Sequence, residues 1–274
     1  MTKFPDQENN MFMKNLLQNS RIDVIKNHLM RNKFIYLAVV SAFVLVILIF
    51  IGYKKGYRFQ ENFMIGKIGF LSMEVTLPQT NIFIDESQKI VTSKENEIIE
   101  VPLSPRRHSV IVSRDGYLPW KKDFSVPSDG IVNFSPIFVS NNPSGLIITT
   151  KDPEFWKIRN KIITDALPTL KTPRISKDGT TKLWIDNNAI IVKIASSTKT
   201  VIQPNPAIKN LYFYKDRSDV VIFSVSNAIY AIEINKEGTQ NFLPVYKGVD
   251  PNFIEGGPNS IYVMDGETLM QVVI

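Results

Sequence analysis

The side chains that carry most enzyme chemistry are scarce or scattered in this chain. It has two histidines, His28 and His108, and no cysteine, which argues against a histidine-based triad, a cysteine nucleophile and a thiolate metal site. Nearly all the carboxylates that could form a glycosidase-type pair lie beside Gly, Asn or Ser, where turn capping explains them; they are Asp178, Asp186, Asp216, Asp219, Asp250 and Asp265. We therefore expect no catalytic, cofactor-binding or metal site.

Two short stretches instead have the composition of a ligand-binding surface. The basic turn Arg106-Arg107-His108 could meet an anionic polymer or lipid headgroups, although a solvated turn is the more common outcome. Tyr117 and Trp120 could offer ring faces to a sugar, and the alternative is that they cover one end of a small sandwich. Weaker aromatic candidates, each also explained by core packing, are Trp156, Trp184, Tyr212 and Tyr214.

A long apolar segment determines where the rest of the chain lies. Residues 34–52, from Phe34 to Gly52, carry no charge. As a helix they would span roughly 28 Å, close to the hydrocarbon thickness of a bilayer. Tyr53-Lys54-Lys55 follows directly, which does not resemble the small-residue cleavage site of a signal peptide. We predict an uncleaved single-pass transmembrane helix, with a cleaved signal peptide as the alternative.

The charges beside this segment indicate its direction across the membrane. Five Lys or Arg residues precede it within twenty positions and four follow it, a small bias that favours a cytoplasmic N-terminus. Residues 1–33 would then form a cytoplasmic tail, either an amphipathic helix on the membrane or a loosely ordered segment. The net charge of +6 is spread along the chain, so we expect no nucleic-acid partner.

Residues 68–140 have the pattern of a small β domain. Short runs that alternate between apolar and polar residues are separated by Pro and Gly; the runs cover 73–77, 81–85, 97–103, 108–118 and 130–139. This stretch resembles a PEGA domain, a small β-sandwich-like bacterial module, in the segments MEVTLPQTNIFID, IIEVPLSPRRHSVIV and RDGYLPWKKDF. The Pro-Glu-Gly-Ala of that family is Leu77-Pro78-Gln79-Thr80 here, so only the proline is retained. The resemblance implies a non-enzymatic, surface-associated protein.

Residues 141–274 follow a polar linker at 140–145 and contain an internal repeat. Asn188-Ala189-Ile190 aligns with Asn227-Ala228-Ile229 after 39 residues, and a third unit follows after 40 more. The units share a turn of the kind Lys177–Gly179 or Lys215–Arg217, then a strand, a tight turn and a second strand. This period is typical of a β-propeller blade. We predict a propeller-like antiparallel array of three units, or four if the segment LIITT begins another, with a sandwich of three hairpins as the alternative.

The predicted fold is therefore mainly β, with one N-terminal transmembrane helix, a PEGA-like β sandwich and propeller-like antiparallel repeats. Such a chain would be a membrane-anchored, extracytoplasmic binding or scaffolding protein of the bacterial cell envelope, without catalytic activity. Its expected partners are the lipid bilayer and an envelope polysaccharide or another surface protein. A single-pass sensor that signals across the membrane is the alternative, and a carbohydrate-active enzyme is a more distant one.

Overall fold

The computed structural model describes residues 33, 35–59, 65–235 and 238–274. The predicted cytoplasmic tail, residues 1–33, lies outside these ranges except for Lys33, and so does Phe34, the first residue of the predicted transmembrane segment. Two compact units make up the chain, one ending at Ile68 and the other covering Gly69 to Ile274.

The first unit contains an apolar helix and a short hairpin. Helix α1, Ile35–Lys54, is the one helix within the described ranges that is long and apolar enough to cross a membrane, and its apolar window is not buried against protein. This agrees with the segment predicted at 34–52. Strands β1 (Tyr57–Phe59) and β2 (Ile65–Lys67) pair antiparallel after it. Arg58 donates to the Tyr53 carbonyl at 2.8 Å and its guanidinium carbon lies 3.5 Å from the centre of the Tyr53 ring, which satisfies one carbonyl at the end of the helix.

The second unit begins with a small β sandwich of two sheets. One sheet contains β3 (Gly69–Val75), β6 (Glu97–Leu103) and β9 (Ile131–Phe134), in the order β6-β3-β9. The other contains β4 (Asn81–Ile84), β5 (Gln88–Val91), β7 (Arg107–Ser113) and β8 (Trp120–Ser125), in the order β5-β4-β7-β8. Successive side chains of a strand point to opposite faces. Leu71, Met73 and Val75 are accordingly buried in a core that β4, β6, β7 and β8 also supply.

Three four-stranded antiparallel sheets follow the sandwich. The first contains β11 (Arg174–Ile175), β12 (Thr181–Asp186), β13 (Ala189–Ile194) and β14 (Ser197–Ile202). The second contains β15 (Ile208–Phe213), β16 (Val220–Val225), β17 (Ala228–Glu233) and β18 (Phe242–Lys247). The third contains β19 (Pro251–Gly257), β20 (Ser260–Asp265) and β21 (Thr268–Val273), with β10 (Gly145–Ile148) at its edge.

The predicted repeat corresponds to one hairpin in each of these sheets. In each hairpin a two-residue turn connects the two strands and lies between a pair of facing residues. These pairs occupy equivalent positions of the repeat and are Asp186 with Ala189, Val225 with Ala228 and Asp265 with Thr268. The LIITT segment does not begin a fourth unit, because β10 pairs with β21 and completes the third sheet. Within the described residues the sheets do not close into a propeller ring. The mainly β fold class predicted from the sequence is confirmed.

Helix α2, Phe155–Thr164, lies between β10 and the first repeat sheet. Its buried residues Phe155, Ile158 and Ile162 occupy one face, which contacts β19 and β20. The hydrophobic cluster that begins in the sandwich continues through Trp120 to Phe253 in the third repeat sheet. The boundary predicted near residue 140 thus lies inside one compact unit. The division of this unit into two separate domains, 68–140 and 141–274, remains a prediction.

Candidate functional site

The predicted basic turn is organised around the carboxylate of Asp85. One of its oxygens, Oδ2, lies 2.7 Å from Nδ1 of His108 and 3.2 Å from Nη2 of Arg106, and Oδ1 accepts a hydrogen bond of 3.0 Å from the Ser109 N–H. Partial burial alone would raise the pKa of Asp85, but the hydrogen bonds from Ser109 and His108 outweigh it and hold that pKa below its usual range. The acid therefore stays ionised and orders the turn.

His108 is a structural member of this turn. Its side chain is buried, and Nε2 donates to the Ser104 carbonyl at 2.8 Å while Nδ1 faces Asp85. Arg106 is partly exposed and Arg107 is exposed. A ligand at this surface would meet the two arginines. We predicted His108 as part of the same surface, and its burial corrects that prediction.

Trp120 holds the sandwich against the second repeat sheet. The side chain is 1% exposed, and Nε1 donates to Oε1 of Glu233 at 2.7 Å. The other oxygen of Glu233 lies 2.8 Å from Nζ of Lys122 and accepts two hydrogen bonds of 3.1 Å from Asn241. A buried ion pair needs such additional hydrogen bonds to offset the cost of removing two charges from water. Trp120 cannot present a ring face to a sugar, which corrects the predicted aromatic platform.

The other aromatic candidates divide between core and surface. Trp184, Tyr212 and Tyr214 are buried, whereas Trp156 is exposed on α2. Tyr117 is half-buried and packs edge-on against Phe138, with ring centres 5.9 Å apart. Of the five residues proposed for a ligand surface, Arg107 lines a recess with Asn235 and Gly238 from between β17 and β18, and Tyr117 lines a larger concave site that also includes residues of the repeat sheets.

That concave site is a cleft of about 570 Å³ between the sandwich and the repeat sheets. Its lining includes Leu77, Asn96 and Tyr117 from the sandwich, and Tyr214, Lys215 and Asn259 from the repeat sheets. An adjoining recess of about 330 Å³ shares Lys215 and Asp216 with it and also contacts Lys161 of α2. We call the larger cavity the Lys215 cleft. It is mostly apolar with a few polar groups, which is the usual composition of a binding pocket.

Lys215 lies on a tight turn that follows β15 and leads to β16. The Arg217 N–H donates to the Tyr214 carbonyl at 3.0 Å, and Lys215 and Asp216 have φ values of 49° and 61°. Two consecutive positive φ angles are those of a type I′ turn, which normally uses Gly, Asn or Asp. A lysine in this conformation costs on the order of 1 kcal/mol. Strain of this kind often accompanies a functional position.

Contacts to the sandwich hold this turn in place. Nη2 and Nη1 of Arg217 donate to the carbonyls of Ser135 and Pro136 at 2.7 and 3.1 Å. Asp219 accepts from the same guanidinium at 2.6 and 2.8 Å. The Tyr214 hydroxyl donates to the Phe138 carbonyl at 3.1 Å. The backbone beneath Lys215 is therefore fixed to residues 135–138, of which Pro136, Ile137 and Phe138 also line the cleft.

Within the described residues the Lys215 ammonium has no counter-ion. It lies 5.4 Å from the centre of the Tyr214 ring and makes no hydrogen bond or ion pair with any residue that the structure describes. Burial, and secondarily the charge of Arg217, lowers the pKa of Lys215 to about 8. The neighbouring carboxylate of Asp216 instead pairs with Lys177 at 2.8 Å. An anionic group placed in the cleft would give the ammonium an ion-pair partner and raise the pKa of Lys215.

Other charged clusters in the repeat region are internally paired. Asp165 lies 2.6 Å from Nη2 of Arg174 and accepts a hydrogen bond of 2.7 Å from Tyr212. Asp178 accepts hydrogen bonds from Ser176 and Thr180, which lower its pKa and confirm the turn-capping role predicted for it. In the described part of the chain no group of three or more His, Asp or Glu side chains is placed to hold a metal ion.

Comparison with known proteins adds little to this geometry. No protein-family model and no curated protein matches the chain. A similar solved structure is that of a candidate membrane-associated protein of unknown function from Bacteroides fragilis NCTC 9343, with 12% sequence identity and a TM-score of 0.23. The match covers 75% of this chain and 94% of that one. A likeness at this TM-score says nothing about shared function.

Proposed function

We propose that this chain is a membrane-anchored, non-catalytic binding protein of the bacterial cell envelope, and that its ligand carries an anionic group that occupies the Lys215 cleft. Helix α1 is the anchor, the N-terminal tail is cytoplasmic, and the unit from Gly69 to Ile274 faces outward. The sandwich at its start is assigned to the PEGA class of surface-associated modules. The observation that carries the proposal is the half-buried ammonium of Lys215 in a cleft, with which no described residue forms an ion pair.

The rest of the cleft favours an acidic saccharide as the ligand. Its lining brings the amides of Asn96 and Asn259 and the phenol of Tyr117 to the same cavity as Lys215. Apolar residues, among them Leu77 and Ile137, line the same cavity. A sugar acid offers a carboxylate for the ammonium, hydroxyls for the amides and apolar ring faces for the apolar lining. An acidic envelope polysaccharide therefore fits better than a neutral one.

The binding proposal predicts a proton-linked interaction. Full-length protein in detergent micelles is titrated calorimetrically with oligosaccharides that contain uronic acid and with neutral oligosaccharides of equal length. Between about pH 8 and 9 we expect proton uptake on binding, because the bound anion raises the pKa of Lys215. Two buffers with different ionisation enthalpies measure that uptake. Equal affinity for neutral and acidic oligosaccharides would contradict the proposal.

A pair of lysine variants tests the position of the site. Lys215→Gln should weaken binding of the acidic oligosaccharide at least about tenfold, since a charge-assisted contact is worth about 1.5–3 kcal/mol. Lys199→Gln is the matched control, because Lys199 is an exposed lysine of the first repeat sheet and does not line the cleft. It should bind as the wild type does. Wild-type affinity in Lys215→Gln would exclude the cleft.

The proposed topology has a separate test. Protease added to intact cells should digest the unit that begins at Gly69, because that unit lies outside the membrane in this proposal. Protection of the unit in intact cells, with digestion after lysis, would reverse the orientation of α1 and assign the chain to the cytoplasmic face.

A further inference from the structure

Helix α2 has an outer face that exposes two large apolar side chains. Trp156 is 56% exposed and Ile163 is 52% exposed. They are seven residues apart, so they lie on the same side of the helix, away from the buried Phe155, Ile158 and Ile162. Exposed apolar residues that occur singly need no explanation, but a tryptophan and an isoleucine aligned on one helix face form a candidate interaction surface.

Basic side chains border this face. By helical geometry Arg159 lies beside the line from Trp156 to Ile163, and Lys157 lies about 100° around the helix from Trp156 on the other side. The Arg159 guanidinium lies 5.8 Å from the centre of the Trp156 ring. Helix α2 contains Lys161 as a third basic residue and no Asp or Glu. None of the three makes an ion pair or hydrogen bond with the part of the chain that the structure describes.

The acidic residues next to α2 in sequence are engaged elsewhere or lie at its start. Asp152 accepts hydrogen bonds from the backbone and hydroxyl of Thr149. Asp165 is paired with Arg174. Glu154 is exposed at the N-terminal end of the helix, away from the last turn. Lys161 interacts electrostatically with Glu255, and Glu154 lies three residues before Lys157. The outer face therefore combines an apolar centre with an excess of positive charge that these two acids offset in part.

We propose that the outer face of α2 contacts the anionic phospholipid surface of the membrane in which α1 is anchored. Tryptophan with an aliphatic neighbour and flanking Lys and Arg is the composition of helices that lie in the headgroup region. Basic residues near an anionic leaflet add electrostatic attraction to the apolar contact. So small a surface binds weakly alone, but a tether to the same bilayer gives it a high effective concentration. The inference rests on the membrane anchoring in the proposed function and is independent of the Lys215 cleft.

Tryptophan fluorescence in reconstituted vesicles tests this contact. The protein has three tryptophans, and Trp120 and Trp184 are buried at 1% and 6% exposure, so quenching by brominated acyl chains reports mainly on Trp156. Full-length protein is reconstituted into brominated phosphatidylcholine vesicles with or without phosphatidylglycerol. For the wild type we expect stronger quenching in the anionic vesicles than in the neutral ones. For Trp156→Phe we expect the same quenching in both. Equal emission with and without bromine in the anionic vesicles would overturn the proposal.

Charge reversal provides the matched comparison. Lys157→Glu with Arg159→Glu should abolish the additional quenching in anionic vesicles. Lys193→Glu with Lys199→Glu makes the same change in charge at two exposed lysines of the first repeat sheet and should leave it intact. Quenching that survives reversal on α2 would overturn the electrostatic contact. A Trp156 emission that depends on protein concentration in detergent would assign the face to a second copy of the chain instead.

Carbonate extraction separates this inference from the proposed function. A chain that stays in the membrane pellet while Trp156 remains unquenched contradicts only the α2 contact. A chain that carbonate releases from the membrane contradicts the anchoring itself, and the α2 contact with it.

Discussion

Two turns with nearly the same sequence occupy the same place in consecutive repeat units and differ in conformation. In the first, the Gly179 N–H donates to the Ser176 carbonyl at 2.8 Å, and the positive φ, 75°, falls on Gly179. In the second, the Arg217 N–H donates to the Tyr214 carbonyl, and the positive φ angles fall on Lys215 and Asp216. The residue after Lys-Asp differs: glycine takes a positive φ without steric cost, whereas arginine does not.

This difference gives the two lysines opposite environments. The Lys177 side chain is 73% exposed, and its hydrogen bond to Asp216 raises its pKa. The Lys215 side chain is half-buried without a counter-ion among the residues that the structure describes, and its pKa is lowered to about 8. Lys177 thus resembles an ordinary surface lysine, while Lys215 has the properties of a ligand-binding group. One change of residue after a repeated Lys-Asp motif accompanies the change from structural turn to candidate site.

The largest effect is expected when the second turn is given the sequence of the first. Arg217→Gly makes the motif Lys-Asp-Gly and removes the guanidinium that serves Ser135, Pro136 and Asp219. Loss of these charge-assisted hydrogen bonds should lower the free energy of unfolding by about 2–3 kcal/mol. Thermal unfolding followed by circular dichroism should show a fall in Tm of several degrees.

Arg217→Lys serves as the control for this variant. It keeps the charge but cannot reproduce the planar fork that reaches both carbonyls and the carboxylate, so its Tm should lie between those of the other two proteins. A Tm for Arg217→Gly within a degree of the wild type would show that the turn is not fixed by these contacts.

The converse change breaks the first turn. Gly179 has φ of 75° and open space where a Cβ would lie, so Gly179→Ala imposes only the conformational penalty of about 1–2 kcal/mol. Gly266→Ala is a matched comparison, because Gly266 has φ of 60° and equally open space. The two variants should lower Tm by similar amounts in the same unfolding scan. An unchanged Tm for Gly179→Ala would mean that the first turn does not depend on glycine.

Much of the fold followed from local sequence pattern. The alternation at 97–103 coincides with β6, and the repeat near 40 residues corresponds to the same hairpin in three sheets. The uncharged segment after residue 34 is helical from Ile35 onward. Each of these features depends on periodicity or composition within a single element, which is why the sequence alone was sufficient.

The features that could not be predicted join residues far apart in the chain. Trp120 and Glu233 are 113 positions apart, and nothing in the segment around Trp120 indicates that a buried acid will receive its N–H. The strand of LIITT pairs with β21 at the opposite end of the repeat region. The Lys215 cleft needs the sandwich and the repeat sheets together. The local sequence signal for this cleft was the residue that follows the repeated Lys-Asp pair, which is Gly179 in the first unit and Arg217 in the second.

A change at Lys215 should increase stability while it removes binding. Asn tolerates a positive φ better than Lys, and Lys215→Asn also removes a half-buried charge with which no described residue forms an ion pair. We expect a gain of about 0.5–1 kcal/mol at pH 7 in the free energy of unfolding, measured by denaturant titration. A loss of stability would mean that the Lys215 conformation is not strained.

The same variant should change the pH dependence of stability. The pKa of Lys215 is about 8 in the folded protein and near 10.4 in an unfolded chain. Between these values the unfolded state binds more protons, so this group makes the wild type more stable as pH rises from about 8 to 10. Lys215→Asn lacks that contribution, and its advantage over the wild type should therefore shrink across this range. An advantage that is constant with pH would contradict the lowered pKa.

The smallest effect is expected at the lysine of the first turn. Lys177→Gln breaks the ion pair with Asp216, but the side chains are 73% and 48% exposed, and an exposed pair of this kind contributes little to stability. We expect a small loss in the free energy of unfolding that vanishes at high salt, where exposed charges are screened. Denaturant titrations at low and high salt measure both. The release of Asp216 leaves a carboxylate beside Lys215, so a larger loss, or weaker binding of an acidic oligosaccharide, would show that the two turns are coupled and that Lys177 keeps Asp216 away from the ammonium in the cleft.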